Sequence, residues 1–303
     1  MRARRSGYAI SPADGSPLFY EIASPDSPVG TVLLNDGIGC DGYVWKYLRR
    51  DLLPRFRLVH WHYPGHGRSP LPRARPNLGI PDLADDMMAV LDDCELDGAI
   101  LFGHSMGVQV VLETYRRHAG RIEAMVLLCG MPEKPLRTFK GTDKFERVLP
   151  VLRSTVSRAP RVFNRLARMM LPTRLSYTVA QVVEVNGQLL DQADFMPYLH
   201  GLSRVEPHWF LSLLAAAGMH SATDLLPDIR VPTLIVAGDS DGFTPAHLSE
   251  RMADAIPEAE LLVVEGGTHT APLERPELVD RAVSEFLERR VMALPRATLK
   301  ADG

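Results

Sequence analysis

Six short apolar runs recur along the chain, and helical patterns separate most of them. The runs are TVLLND (31–36), RLVHWHY (57–63), GAILFG (98–103), AMVLLCG (124–130), TLIVAGD (233–239) and AELLVVEG (259–266). They are near-continuously apolar, which is typical of parallel strands covered on both faces. Amphipathic periodicity predicts helices at 80–96, 108–118, 245–256 and 276–291. The alternation indicates an α/β fold with a mostly parallel central sheet and helices on both faces.

This alternation stops between about residues 133 and 228. The segment has no convincing strand and contains helical stretches such as PRVFNRLARMML and PHWFLSLLAAAGM. We therefore expect a helical cap inserted between the strand that ends near residue 130 and the strand that starts near 233. The predicted domains are a core at 1–132 and 229–292, a cap at 133–228, and a loose C-terminal tail at 293–303.

Composition narrows the class of protein. The 303 residues are 46% hydrophobic and 23% charged, as in globular proteins, and a net charge of -3 provides no field that favours nucleic acid. Three distant cysteines, expected to be reduced and mostly buried, lack metal-ligand spacing. No apolar run approaches the roughly 20 residues of a membrane span, and no apolar stretch follows the basic start. We expect a cytoplasmic protein without metal or cofactor; its oligomeric state stays open.

The junction at GHSMG (103–107) carries the main chemical signal. It joins a predicted strand to a predicted helix, and Ser105 lies between Gly103 and Gly107. A strand that turns into a helix within about one residue holds the middle side chain above the sheet, beside a helix N-terminus. We predict that Ser105 is a nucleophile and that the N–H of Met106 faces a forming oxyanion. The alternative is a glycine-rich turn that contains a serine by chance.

A nucleophilic serine needs a base and a group that orients the base. His269 follows the last predicted strand and is our candidate base; His60, His62, His104 and His118 have weaker claims. Asp239 and Asp241 both follow the strand at 233–239, where α/β active sites gather, and either is a candidate acid.

A second oxyanion donor is expected in the glycine-containing loop after the first strong strand. LLNDGIG lets the backbone approach a substrate closely, and the N–H of Ile38 is our choice. A plain glycine turn is the alternative.

Together these segments resemble the α/β-hydrolase superfamily, and in particular its capped serine esterase and lipase-like members. The resemblance rests on LLNDGIG, HYPGHGRS (62–69), GHSMG, GDSDGFTP and GGTHTAPLERPE. The family pattern Gly-x-x-Asp-x-x-x-Pro falls on Gly238, Asp241 and Pro245, which implies that Asp241 is the acid and that Asp239 fixes the loop. Asn35-Asp36 departs from the family, which often has His before the glycine. We expect Asp36 to point away from the oxyanion and to accept bonds from neighbouring backbone N–H groups.

The resemblance implies a hydrolase that cleaves a carboxylic ester of a small or medium apolar acyl substrate through an acyl-enzyme. A lactonase, thioesterase or carbon–carbon bond hydrolase uses the same triad, and an acyltransferase, a lyase or a binding protein shares the fold. Serine at the junction argues against enzymes of this fold that use a carboxylate nucleophile. Candidate pocket residues are Gly37, His104, Phe163, Trp209 and Phe243.

One cap segment is unusually basic. Residues 147–183 contain seven arginines and no acidic residue. Within PRVFNRLARMMLP, apolar positions fall on one helical face and arginines mainly on the other. We expect the apolar face to pack on the core and the basic face to be solvated. The alternative is that the cap recruits an anionic or lipid-like substrate, or touches a membrane surface.

Overall fold

A single eight-stranded sheet organises the protein. The structure is a computed structural model that describes residues 3–73, 78–133, 144–183 and 185–293. In these ranges the strand order is β1-β2-β4-β3-β5-β6-β7-β8. β2 pairs antiparallel with β1 and β4, whereas all pairs from β4 to β8 are parallel. The strands are β1 (Ala3–Ile10), β2 (Pro17–Ser24), β3 (Thr31–Asn35), β4 (Arg57–Trp61), β5 (Ala99–His104), β6 (Ile122–Leu128), β7 (Thr233–Gly238) and β8 (Glu260–Val264).

Helices cover both faces of this sheet and make up most of the described part of the segment between β6 and β7. They are α1 (Lys46–Leu52), α2 (Ile80–Asp93), α3 (Met106–His118), α4 (Lys144–Arg158), α5 (Pro160–Met170), α6 (Arg174–Val183), α7 (Gln192–Leu202), α8 (Pro207–Met219), α9 (Ala246–Ala255), α10 (Ala271–Glu274) and α11 (Pro276–Phe286). α11 continues into a π-helical turn at Leu287–Met292. No helix in the described ranges is both long and apolar enough to cross a bilayer.

The central strands are buried on both faces, as their near-continuous apolar sequences predict. Every residue of β5 is buried, and its side chains alternate between two cores. Leu101 packs on one side with residues of α2 and α3, and Ile100 and Phe102 pack on the other with residues of α1 and α11. The predicted α/β class with a mostly parallel sheet is therefore confirmed.

Two features of the sheet differ from the prediction. Neither β1 nor β2 was predicted. β1 escaped because it is a polar edge strand in which Ala9 alone is buried among its described residues. β8 was expected to be covered on both faces, but Leu261 and Val263 are exposed. β8 is the other edge of the sheet, and the chain supplies little to cover one of its faces.

The inserted segment contains α4 to α8, and no strand occurs in its described residues. The expected packing of α5 is wrong. Phe163 contacts the small cluster around Leu149, Val156 and Leu211, but most of the apolar residues of α5 face solvent. Residues 134–143 of the predicted cap (133–228) and residues 294–303 of the predicted tail (293–303) lie outside the described residues.

Candidate active site

Ser105 occupies a tight bend between β5 and α3. Its φ of 55° and ψ of -120° lie in a region that residues other than glycine rarely adopt. A Cβ at Gly103 would lie 2.6 Å from the carbonyl oxygen of Gly107, and a Cβ at Gly107 would lie 2.3 Å from that of Asn35. The two glycines are therefore required by the close approach of β5, α3 and the end of β3.

Ser105, His269 and Asp241 come together from three separate strand ends. Ser105 Oγ lies 2.8 Å from His269 Nε2, and His269 Nδ1 lies 2.9 Å from Asp241 Oδ2. Ser105 follows β5, Asp241 follows β7 and His269 follows β8. Each separation is a hydrogen-bonding distance, so a proton on Ser105 can pass to an imidazole that a carboxylate orients.

Asp241 is held as an anion by its loop. Its Oδ1 accepts the backbone N–H groups of Phe243 (2.7 Å) and Thr244 (2.8 Å), and its Oδ2 accepts the Thr244 hydroxyl at 2.6 Å. Burial opposes ionisation, but the charge and hydrogen bond of His269 and the two hydrogen bonds from Thr244 outweigh it and lower the pKa of Asp241 below its ordinary value. Asp241 therefore faces His269 as a carboxylate at neutral pH.

Asp239, the other candidate acid, serves the loop instead. It is exposed, and its Oδ1 accepts the N–H of Gly266 at 2.9 Å and the hydroxyl of Ser240 at 2.8 Å. These bonds join the ends of β7 and β8, so Asp239 supports the loops without contacting His269.

Two buried side chains fix the loop of His269. Glu274 accepts the N–H of Thr268 (2.6 Å) and the Thr268 hydroxyl (2.6 Å). His104 Nε2 lies 2.9 Å from the carbonyl oxygen of His269, and burial lowers the pKa of His104 to about 4. A neutral imidazole that donates to a carbonyl carries its proton on Nε2, so His104 clamps the loop as an uncharged donor. The role of Glu274 was missed, although it lies five residues after His269 in the quoted segment.

The loop after β3 lies against the serine. A Cβ at Gly37 would approach Ser105 Cβ to 3.0 Å, so this backbone passes as close to the nucleophile as glycine allows. Within the described residues, no protein acceptor takes the backbone N–H of Ile38 or Met106. Both residues border the cavity above Ser105. His66 Nε2 accepts the Gly39 N–H at 3.0 Å and holds this loop, a contact that the sequence did not reveal.

Asp36 points away from the cavity, as expected, but its partners differ from the prediction. Its carboxylate accepts Trp45 Nε1–H at 2.6 Å and His60 Nε2–H at 2.8 Å, whereas neighbouring backbone N–H groups were expected. Burial lowers the pKa of His60, but the charge and hydrogen bond of Asp36 outweigh it and raise that pKa to about 9. A buried ion pair therefore lies beneath the loop that carries Ile38.

A cavity of about 300 Å³ opens above Ser105 and has a mainly apolar lining. Gly37, His104 and Phe243 line it, as predicted for the pocket. Phe163 and Trp209 were also predicted to line it and do not. Phe163 packs between helices of the insertion, and the fully buried Trp209 donates its indole N–H to the carbonyl of Pro64 at 2.7 Å.

The remaining lining side chains come from parts of the chain that no local motif connects. From the insertion, Tyr198 of α7 and Phe210, Leu214 and Ala217 of α8 contribute. The core adds Cys40, Tyr43, Gln109, Met131 and Thr244. None of these side chains was predicted individually to line the pocket, because their roles depend on how the inserted helices lie over the sheet.

Comparison with known proteins identifies the class. Residues 30–276 match the family described as the alpha/beta hydrolase fold, so the chain belongs to the α/β-hydrolase family and the predicted resemblance is confirmed. Among curated relatives, a RutD protein of Azorhizobium caulinodans, described as a carbamate hydrolase, is 27% identical over 271 residues. The match covers 89% of this chain and 94% of that protein. The family and these relatives support a hydrolase.

Solved structures show the same fold at lower identity. An esterase from Thermogutta terrifontis superposes with a TM-score of 0.70 at 23% identity, and the match covers 96% of this chain and 99% of that one. The enol-lactonase from Burkholderia xenovorans LB400 has a TM-score of 0.72 at 22% identity, over 93% of this chain and 100% of that one. These likenesses concern architecture alone.

Proposed function

We propose that this protein is a serine hydrolase that cleaves carboxylic esters with a small or medium apolar acyl group. One observation carries the proposal: the hydrogen-bonded series Ser105, His269 and Asp241 opens directly into an apolar cavity. The inserted helices α7 and α8 form one wall of that cavity and act as a cap. A cavity of this size and lining matches an acyl chain better than a charged substrate.

In the proposed mechanism, Ser105 Oγ attacks the ester carbonyl while His269 Nε2 removes its proton. Asp241 keeps the other proton of the imidazole on Nδ1 and stabilises the imidazolium that forms. The backbone N–H groups of Ile38 and Met106 bind the oxyanion of the tetrahedral intermediate. Loss of one such donor in a well-studied protease costs roughly 2.7–4 kcal/mol.

The intermediate collapses when His269 returns the proton to the leaving alcohol and the carbon–oxygen ester bond breaks. The acyl group remains on Ser105. Water then gives its proton to His269 and attacks the acyl-enzyme, and the acid leaves as Ser105 recovers its proton.

Carbamate hydrolysis is a second candidate, favoured by the activity assigned to the RutD relatives. The same three residues would attack a carbamate carbonyl. The lining of the cavity decides our order of preference, because Phe210, Leu214 and Phe243 offer apolar contact and no charge. Carbon–carbon, lactone and thioester bonds stay as further alternatives for the same nucleophile.

Hydrolysis of a substrate panel tests the proposal. Purified protein is assayed on p-nitrophenyl esters from acetate to decanoate, on an N-alkyl carbamate, on lactones and on acyl thioesters. We expect a maximum of kcat/KM among the short to medium esters and no turnover with Ser105→Ala. A flat response to chain length, or preference for the carbamate, would reject the apolar-ester assignment.

A pair of variants on α8 assigns the chain-length preference to the cavity. Leu214 lines the cavity, whereas Leu211 packs against Leu149 and Val156. Leu214→Ala enlarges the pocket, so we expect the preferred ester to lengthen. Leu211→Ala should cost about 2–5 kcal/mol of stability and leave the preference unchanged.

A further inference from the structure

An apolar strip on α5 faces solvent rather than the protein. Val162 is 56% exposed, Leu166 45%, Met169 61% and Met170 57%. Their spacing along α5 places them on adjoining positions of one helical face. Phe163, Asn164 and Ala167 are less exposed, and Phe163 packs on the rest of the insertion. The strip therefore lies on the outer half of the helix.

A strip of positive charge flanks it. Arg161, Arg165 and Arg168 are exposed on the same helix, and together with Met169 they line one shallow groove. Within the described residues none of these three arginines forms an ion pair with an acidic side chain. The wider segment 147–183 contains seven arginines and no acidic residue. The name α5 surface is used here for Arg161, Arg165 and Arg168 together with the four exposed apolar residues of α5.

We propose that the α5 surface docks the protein on an anionic lipid surface. An amphipathic helix with apolar residues beside arginines lies in the plane of a membrane interface, where the apolar side chains enter the acyl boundary. The arginine stems extend past them, and the guanidinium groups bind phosphate and carboxylate headgroups. Binding by this surface does not depend on the proposed ester hydrolysis.

Charge decides against a second copy of the chain as the occupant. A two-fold dimer would bring the same patch of each copy together. The α5 surface would then face its own arginines, and segment 147–183 has no acidic residue to pair with them. A negatively charged lipid surface supplies negative groups opposite all the arginines of α5.

The α5 surface lies on the outer side of the layer that covers the cavity. Phe163 of α5 contacts the cluster that includes Leu211 of α8, and Phe210 and Leu214 of α8 line the cavity. Docking through α5 would therefore place the inserted helices above Ser105 toward the lipid.

Vesicle flotation tests the proposal. The full chain is mixed with vesicles of phosphatidylcholine, or of equal parts phosphatidylcholine and phosphatidylglycerol, and the floated fraction is measured over a lipid series. We expect binding to the anionic vesicles only. The variant Arg161→Gln/Arg165→Gln/Arg168→Gln should bind about 100-fold more weakly, since each of the three basic residues near an anionic surface contributes roughly a fivefold effect.

The matched control changes net charge equally elsewhere. Arg4, Arg251 and Arg281 are exposed on β1, α9 and α11, and Arg4→Gln/Arg251→Gln/Arg281→Gln should bind within twofold of the parent. Salt screens the attraction between the arginines and the lipid headgroups, so binding at high salt depends on the apolar contacts. Met169→Ser/Met170→Ser should therefore weaken vesicle binding at high salt. Thermal unfolding and turnover of a short soluble ester should match the parent for all three variants.

Several results would overturn the proposal. These are absence of flotation with the anionic vesicles, equal loss in the α5 and control variants, or binding that the α5 variants leave unchanged. A dimer in size-exclusion chromatography that the α5 variants dissociate, without flotation, would assign this surface to a second copy of the chain instead.

Discussion

At the scale of single residues, the site depends on which hydrogen-bond partners each polar atom has. Both oxygens of Asp241 are fully engaged, and one of them faces His269. Asp239, two positions earlier, directs its carboxylate to Gly266 instead. Sequence spacing together with the family pattern was enough to prefer Asp241. It could not show that Thr244 completes the carboxylate shell, because that contact depends on the turn.

The hydrogen bonds around the Asp241 carboxylate predict the effect of Asp241→Asn. The two backbone N–H groups on Oδ1 fix which end of the amide is the oxygen, so the NH₂ group would face His269. His269 would then accept on Nδ1 and carry its proton on Nε2, where it could not receive the Ser105 proton. We expect kcat to fall by about 10⁴-fold, as for the equivalent change in a serine protease.

Asp239→Asn is the matched control, since it makes the same chemical change on the same loop. It should alter kcat by no more than a few-fold. Steady-state kinetics of both variants on the preferred ester measure the difference. Similar losses in the two variants would contradict the distinct roles given to these carboxylates.

At the scale of elements, the regular parts of the chain were the predictable ones. Strands β3 to β7 are buried on both faces and read as apolar runs, and the predicted helix ends are within a few residues for α2, α9 and α11. Edge strands do not show the same near-continuous burial, because one face or one edge of the strand is exposed to solvent. This is why β1 escaped prediction and β8 was assigned the wrong environment.

The ends of β3 and β4 are joined by a feature that periodicity cannot reveal. Asp36 follows β3 and His60 belongs to β4, and their buried side chains pair at 2.8 Å. The two residues are 24 positions apart, and parallel pairing of the strands brings them together. We regard this pair as the support of the loop that carries Ile38, the loop for which we propose the oxyanion role.

The pair predicts how stability depends on pH. Asp36 is the main cause that raises the pKa of His60, and Glu21 adds to it, while burial and the charge of Arg49 oppose it. Because the folded pKa, about 9, exceeds the ordinary 6.5, the stabilisation is complete below about pH 6.5 and is lost as pH rises through about 9. The free energy of unfolding should lose about 3 kcal/mol from this group over that window.

Urea unfolding at about pH 6 and about pH 9.5 measures this loss. Other groups also titrate in the window, so the comparison is with His60→Gln, which is less stable at pH 6 but lacks this titration. The parent should lose more stability between the two pH values than the variant does. Equal losses would show that His60 is not charged in the folded protein.

At the scale of the whole molecule, the cavity is formed jointly by the carboxyl ends of the strands and by the inserted helices. Ser105, His269 and Gly37 lie at the carboxyl ends of strands. Tyr198, Phe210 and Leu214 belong to the inserted helices and line the cavity from the other side. The catalytic candidates were predictable because each is embedded in a short motif. The cavity wall was not, since it depends on how α7 and α8 rest over the sheet. Phe163 and Trp209 were wrongly assigned to it for this reason.

We propose that Ser105 is the nucleophile of a triad, and covalent labelling identifies such a nucleophile directly. The protein is treated with a fluorophosphonate, and intact mass followed by peptide mapping locates the adduct. We predict one adduct per chain on Ser105, formed by the native protein, prevented by heat denaturation, and slowed at least 100-fold in Asp241→Asn. An unlabelled native protein, or an adduct elsewhere with Ser105 unmodified, would show that Ser105 is not the nucleophile.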